Sequence, residues 1–532
     1  MATYFFKKTN QSNFIYILLI CLFSFLINYH YSNLGVFPID TFLHYDSAHK
    51  ILNKEYPVRD YWIVSGFIVD FLQAIFFKTL GTNWKSYILH SSIINIIISV
   101  LTFFFFKSIN LSNLISFFYS ICFSVVGYTI SGTPFVDLHA TYFCLIAFYF
   151  TVIAIKKPKK IFIWSIIIFF YLLAFFSKQV PTTYLAILNT IIFSIYFILN
   201  KKFRVIQIIF FSFLFYILLF FSLLEFLQID YIDFYAQYID YPREFGSMRA
   251  NDTNFSTLKF FNNYKFIILP FCLLSFLKVR KLIIEKEKIF SNDFLIFLIY
   301  SSLITSFLLH QLLTKNQIFI YFLIPMTFAY IHSELNKKKS RQINFFLILI
   351  LLTNLFITLK YHIRYNENRK FHELANTNIL DAQNANILDK SLNNLQWKTP
   401  FFNGTAIEEI NLLREVREII NKKQKEIIII THYLFLDSIT TKKIYSLNRT
   451  YTLDGASVPT NKSNFFKYYK LYIIKNLIKK NIEEIYFIKK ENINQKIIKN
   501  YIDNICYSID ENEIFFIYKL DLNCLVLSTK NI

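Results

Sequence analysis

The sequence predicts an α-helical polytopic membrane domain of about eleven transmembrane helices, followed by a C-terminal α/β soluble domain on the outer face. Three observations lead there. Long apolar runs are separated by short polar loops, basic clusters fall in alternate loops, and the apolar runs give way after residue 362 to shorter alternating patterns.

The chain has 532 residues, 55% of them hydrophobic and 20% aromatic, with a mean hydropathy of +0.40. A soluble chain of this length is nearer half apolar. A membrane span needs roughly 20 mostly apolar residues. Runs of that kind lie at approximately 13–31, 84–106, 111–130, 137–155, 161–177, 182–199, 205–226, 264–279, 292–312, 317–333 and 342–360. The stretch from Trp62 to Leu80 is interrupted by Asp70 and Gln73 and reads as an interfacial or re-entrant helix. The first run follows Lys7 and Lys8 without a small-residue cleavage site, which predicts an uncleaved span.

Charge tests this count. Lys+Arg total 56 against 35 Asp+Glu, a formal net charge of +21. In a soluble chain that excess would suggest nucleic acid as a partner. Here the cations sit between apolar runs: Lys156-Lys157-Pro158-Lys159-Lys160, Lys201-Lys202-Phe203-Arg204, Lys278-Val279-Arg280-Lys281 and Lys337-Lys338-Lys339-Ser340-Arg341. With the N-terminus inside, every one of these clusters is cytoplasmic, as the positive-inside rule requires. Counting 62–80 as a span would invert all later loops. No nucleic-acid partner is expected. The partners are membrane lipids, and the location is the inner (plasma) membrane.

An odd number of spans places the tail outside. Residues 1–362 form the membrane domain, with long outer loops at about 31–83 and 227–263; residues 363–532 form the extracytoplasmic domain. In the tail, Glu408–Lys423, Phe465–Lys480 and Asn492–Asn504 read as helices. Glu426–Thr431, Glu484–Ile488 and Glu513–Lys519 read as strands, and the alternation suggests a small layered α/β domain. Cys506 and Cys524 are the two tail cysteines, and the sequence leaves a disulfide between them open. No G-x-G-x-x-G or P-loop is present.

The first outer loop carries the strongest chemical signal. It reads Phe37-Pro-Ile-Asp40-Thr-Phe-Leu-His-Tyr-Asp46-Ser-Ala48, and continues through Leu52 to Pro57-Val-Arg59-Asp60-Tyr-Trp62. The pattern from Asp46 to Leu52 predicts a short amphipathic helix with Asp40 at its N-terminal end. There the helix dipole favours the ionised carboxylate that a general base requires. The residue chemistry alone equally allows Asp40 to be an N-cap. Asp46 reads as a solvated position on the helix face.

Asp40, Ala48, Leu52, the Pro57–Trp62 stretch, Gly66 and Asp70 together resemble the first periplasmic loop of GT-C membrane glycosyltransferases. That superfamily includes protein O-mannosyltransferases and lipid A aminoarabinose transferases. The family's acidic pair is Asp40-Thr41 here, so a divalent metal is left open and the metal ligands are unknown. The resemblance implies transfer of a sugar from a polyprenyl-phosphate donor to a hydroxyl of a glycan, lipid or protein acceptor, with inversion. It makes Asp40 the base and Asp60 a second acid that orients the acceptor.

A lipid phosphate needs cations at the outer face, where the topology bias makes them scarce. Lys178 in Ser177-Lys-Gln-Val-Pro181 is the first candidate, with His310, Lys315, Arg59 and Arg243 beside it. Tyr321 completes the proposed substrate contacts. Asp137 and His139 read as a structural pair. A transporter or flippase for a lipid-linked glycan is the alternative. It would call for Gly/Pro-broken helices in paired halves, and Gly is scarce here, at 8 residues.

Overall fold

Each of the apolar runs contains a helix. The structure, a computed structural model, describes residues 11–127, 132–251, 256–286, 288–314, 320–337, 341–368, 374, 377–400, 402–453, 455–491 and 493–529. Among these, seven helices are long and apolar enough to cross a membrane: Asn13–Ser32, Trp84–Ser108, Val136–Lys156, Gln179–Leu199, Phe203–Phe226, Asn292–Leu313 and Arg341–Glu367. Asn113–Gly127 and Ile163–Ser177 are apolar but shorter. The remaining runs fall on Thr257–Ile284 and Leu323–Asn336. With a small sheet near the C-terminus, this is the make-up of a helical membrane protein.

The chain divides into two compact units. The first comprises Met1–Ser32, Ile88–Phe220 and Thr253–Phe371, and it is helical. Val136–Lys156 is buried over nearly its whole length, whereas Phe203–Phe226 leaves Phe210, Phe211, Phe215 and Leu218 exposed. An exposed apolar face of that size suits hydrocarbon as solvent. Some of the polar groups buried in this unit pair with one another. The Asn28 amide donates to the Ser91 and Ser92 hydroxyls at 3.1 and 2.9 Å. Lys278, fully buried, donates to Asp293 and Glu334 at 2.9 Å each.

The second unit comprises Asn33–Tyr87, Phe221–Asp252 and His372–Ile532. It gathers both long inter-helix loops with the tail, a grouping that a boundary at residue 362 does not make. The physical reason is a shared core. Trp62 from the first loop and Tyr241 from the second are buried with Ile428, Leu447, Tyr469 and Phe487 of the tail. The main chain joins them as well. Trp62 donates its N–H to the Leu447 carbonyl at 2.8 Å and accepts from Arg449 at 3.0 Å. Gln237 spans the first loop, donating to the Val58 carbonyl at 3.0 Å and accepting the Ile63 N–H at 3.2 Å.

The tail builds on two short strands, β1 (Gln383–Asn384) and β2 (Gln396–Trp397), and on β3 (Ile427–Ile430), β4 (Ile444–Tyr445), β5 (Glu484–Ile488), β6 (Tyr507–Glu511) and β7 (Phe515–Leu520). The last five form one sheet in the order β4-β3-β5-β7-β6. β3 runs parallel to β4 and β5, while β7 is antiparallel to β5 and β6. β3 is four isoleucines, all buried, which fits a central parallel strand. Ala406–Asn421 is helical behind a capping box in which Thr405 and Glu408 satisfy each other's N–H groups. The expected helix over Asn492–Asn504 is corrected: among the described residues only Lys496–Lys499 is helical. Asn and Asp in that stretch are weak helix formers, and Tyr501 is anchored in the core by its hydroxyl on the Pro459 carbonyl.

Cys506 and Cys524 form a disulfide across 18 residues. Closing a loop of that length restricts the unfolded chain, so replacing both with Ser is expected to lower stability by about 3 kcal/mol. Denaturant unfolding of the full chain, with and without the substitutions, measures this.

Candidate functional site

The loop after the first span folds as a 15-residue helix, Pro38–Leu52. Pro38 starts it because its ring pre-sets a helical φ and its missing N–H is not needed there. Phe37 is the extended cap residue, and its N–H donates to the Thr41 hydroxyl at 3.0 Å. The helix thus begins eight residues before the predicted Asp46, and Asp40 lies inside its first turn. Asp40 is therefore not the N-cap. It is partly exposed, and it sits where unpaired N–H groups and the dipole favour an anion.

Asp46 is also corrected: it is buried and pairs with the Lys50 ammonium, which donates on to the Ser446 hydroxyl at 2.6 Å. One helical turn separates Asp46 from Lys50, so both leave the helix on the same face. Asp437 lies beside this pair, 3.5 Å from His49, and accepts the Ile444 N–H at 2.7 Å. Lys443 and Lys480 flank Glu55 at 2.6 and 3.6 Å.

Burial pushes Asp437 up to about 6, against the pull of Lys50. Asp46 is likewise raised to about 6, again by burial. The folded chain therefore keeps protons between about pH 4 and 6 that the unfolded chain releases. The contribution of these two carboxyls to stability falls as pH rises through that window and is constant above it. Asp437→Asn cannot ionise and keeps the acceptor for Ile444. It is expected to gain up to about 3 kcal/mol over the parent above pH 6. Asp46 keeps part of the slope. Melting temperature against pH for both proteins checks this.

Arg59 and Asp60 come together. Asp60 accepts the Tyr56 N–H and the Arg59 Nε–H at 2.8 Å each, and it is 5% exposed. Arg59 also donates to the Leu227 and Lys54 carbonyls at 3.0 and 2.7 Å and lies over the Tyr56 ring. Between them and Pro57, Val58 holds φ at +76°, a region that a β-branched residue rarely enters. Its carbonyl is pinned by Gln237 and by the Tyr472 hydroxyl. These contacts make Asp60 a residue that shapes the loop. Arg243 is exposed on the helix Tyr241–Asn251, in the same unit.

Sequence reasoning missed a buried triad in this unit. Asp70 accepts from His44 Nδ1 at 2.6 Å and from the Arg449 guanidinium. Arg449 donates further to the Ser65 carbonyl and the Ser47 hydroxyl. Burial holds His44 below its ordinary range, so the imidazole is neutral and donates its Nδ1–H. The only local signal was Asp70 interrupting an apolar run.

The predicted cations of the helical unit also meet. Lys178 Nζ donates to both Asp137 oxygens at 2.7 and 2.8 Å, and His310 Nε2 lies 2.7 Å from Asp137. His139 pairs with His90 at 3.2 Å, which overturns the expected Asp137–His139 pair. Two residues apart on a helix, Asp137 and His139 face opposite sides. Tyr321 is buried, stacked on Tyr361 with centroids 4.0 Å apart, and its hydroxyl donates to the Asn263 carbonyl at 3.3 Å. Lys315 lies outside the described residues.

Among the described residues, no group of three or more His, Cys, Asp or Glu could hold a metal ion. Thr41, in place of a second acid, is buried with its hydroxyl on the Phe37 N–H.

No protein-family model matches this chain, and no curated protein matches it.

Proposed function

We propose that the chain is a membrane glycosyltransferase that moves a sugar from a polyprenyl-phosphate donor to an acceptor hydroxyl at the extracytoplasmic face. In this reading the chain crosses the bilayer about eleven times, with both long loops and the tail outside. Two observations support that orientation. Basic clusters occupy alternate loops, and the Cys506–Cys524 disulfide belongs to an oxidising compartment.

The observation that carries the reading is Asp40: a partly exposed carboxylate in the first turn of a helix that directly follows the first span. Its carboxylate takes the proton of the acceptor hydroxyl. The hydroxyl oxygen bonds to the anomeric carbon from the side opposite the phosphate, and the carbon–oxygen bond to phosphate breaks. The electron pair leaves with the polyprenyl phosphate, and the configuration inverts. A leaving phosphate is stabilised by preorganised cations. Within the unit that bears Asp40, Arg59 and Arg243 are the proposed partners.

The test is transfer from labelled polyprenyl-phosphate sugars by the purified chain in membranes, compared with Asp40→Asn. Transfer that the substitution abolishes supports the proposal. No transfer from any donor would leave the transporter reading in its place.

A further inference from the structure

We propose that the tail sheet carries a second site, a small cavity that binds the hydroxyl edge of a saccharide. It lies at the C-terminal ends of β3 and β5, adjacent parallel strands. From β3 the chain moves to β4 on one side; from β5 it moves to β7 and β6 on the other. Loops that part in this way open a crevice beyond the strand ends, where open α/β sheets bind ligands.

Two side chains meet that crevice with unsatisfied polar atoms. Glu491 follows β5; its Oε1 accepts the His432 N–H at 2.7 Å, while its Oε2 is buried without a hydrogen-bond partner. His432 follows β3, and its Nδ1 is also buried without a partner. A buried polar group left unpaired costs roughly 1–3 kcal/mol. Both residues line one cavity of about 80 Å³, which has room for a ligand group.

The chemistry of the lining selects the occupant. Burial pushes Glu491 up to about 8 and His432 down to about 4, so both are uncharged at neutral pH. An ionic ligand would find no buried counter-charge. A hydroxyl both donates and accepts, and a sugar's neighbouring hydroxyls can satisfy a carboxyl and an imidazole nitrogen together. Phe37, Pro38 and Tyr433 supply apolar wall for the ring carbons. The volume holds one edge of a sugar ring. If the transferase proposal holds, this saccharide is the acceptor; binding itself does not require it.

The test uses the full chain in nanodiscs and saturation-transfer NMR. The probes are methyl glycosides of glucose, galactose, mannose and N-acetylglucosamine. At least one glycoside is expected to receive saturation, and Glu491→Leu to weaken its binding roughly tenfold, the loss of one good hydrogen bond. Asn403→Trp, at the exposed rim, should block the mouth without touching the buried pair. No saturation above empty nanodiscs, or equal saturation in the parent and both variants, would mean that water alone fills the cavity and would overturn the proposal. Binding without any sugar transfer would sink the transferase proposal and leave this site standing.

Discussion

Asp40→Asn is expected to lower the transfer rate by about 10²- to 10⁴-fold, the range a positioned general base contributes. The amide has nearly the shape of the carboxylate but cannot take a proton. Its cost to folding is bounded, because a carboxylate in the first turn of a helix stabilises it by only about 0.3–1 kcal/mol. Activity and stability should therefore separate. The loss should fall on kcat, since the proton moves only in the transition state. Asp40→Glu keeps a base and should recover part of the rate. A transporter would give another result: lipid-linked glycan movement across the membrane that survives Asp40→Asn. An Asp40→Asn protein with full transfer activity would end the assignment of the base.

The helix that carries Asp40 was legible because its signal is local: a proline, then an acid, then helical spacing, all within one loop directly after an apolar run. The apolar runs themselves were legible for the same reason, since length and hydropathy are properties of consecutive residues. So were β5, with identical bounds, and the helices over Ala406–Asn421 and Phe466–Lys479. What stayed hidden depends on distant segments. Asp70 and Arg449 are 379 residues apart, and neither announces the other. Asp137 and His310 come from separate helices and Lys178 from the break between two others, and only packing brings one carboxylate to both cations. Asp46 looked solvated because a short amphipathic pattern does not reveal what covers its polar face. Here Asp437 of the tail does so, with Ser446 holding Lys50.

The second large effect should come from that Asp70–Arg449 pair. The two side chains are 0% and 6% exposed, so the charges are compensated by each other and by fixed dipoles, not by water. Removing one partner strands the other in low dielectric, at about 3–5 kcal/mol. Asp70→Leu is expected to cost that much. Asp70→Leu combined with Arg449→Met should cost far less, because a hydrophobic pair of similar volume replaces both charges. Denaturant unfolding followed by tryptophan fluorescence reads this out, since Trp62 lies in the core of the same unit. Equal stability of parent and Asp70→Leu would sink the argument. Function should part from stability in the double variant. Asp70 ties the helix Phe67–Leu80 to His44 on the helix that bears Asp40, and Gly66, at φ +79°, makes the turn that presents the Ser65 carbonyl to Arg449. Loosening that tie lets the Pro38–Leu52 helix shift, and a misplacement of about 1 Å at a reacting group can cost on the order of 10²-fold in rate. The double variant should therefore fold well and still transfer sugar slowly, because hydrophobic replacements restore burial but not the hydrogen bond that fixes His44.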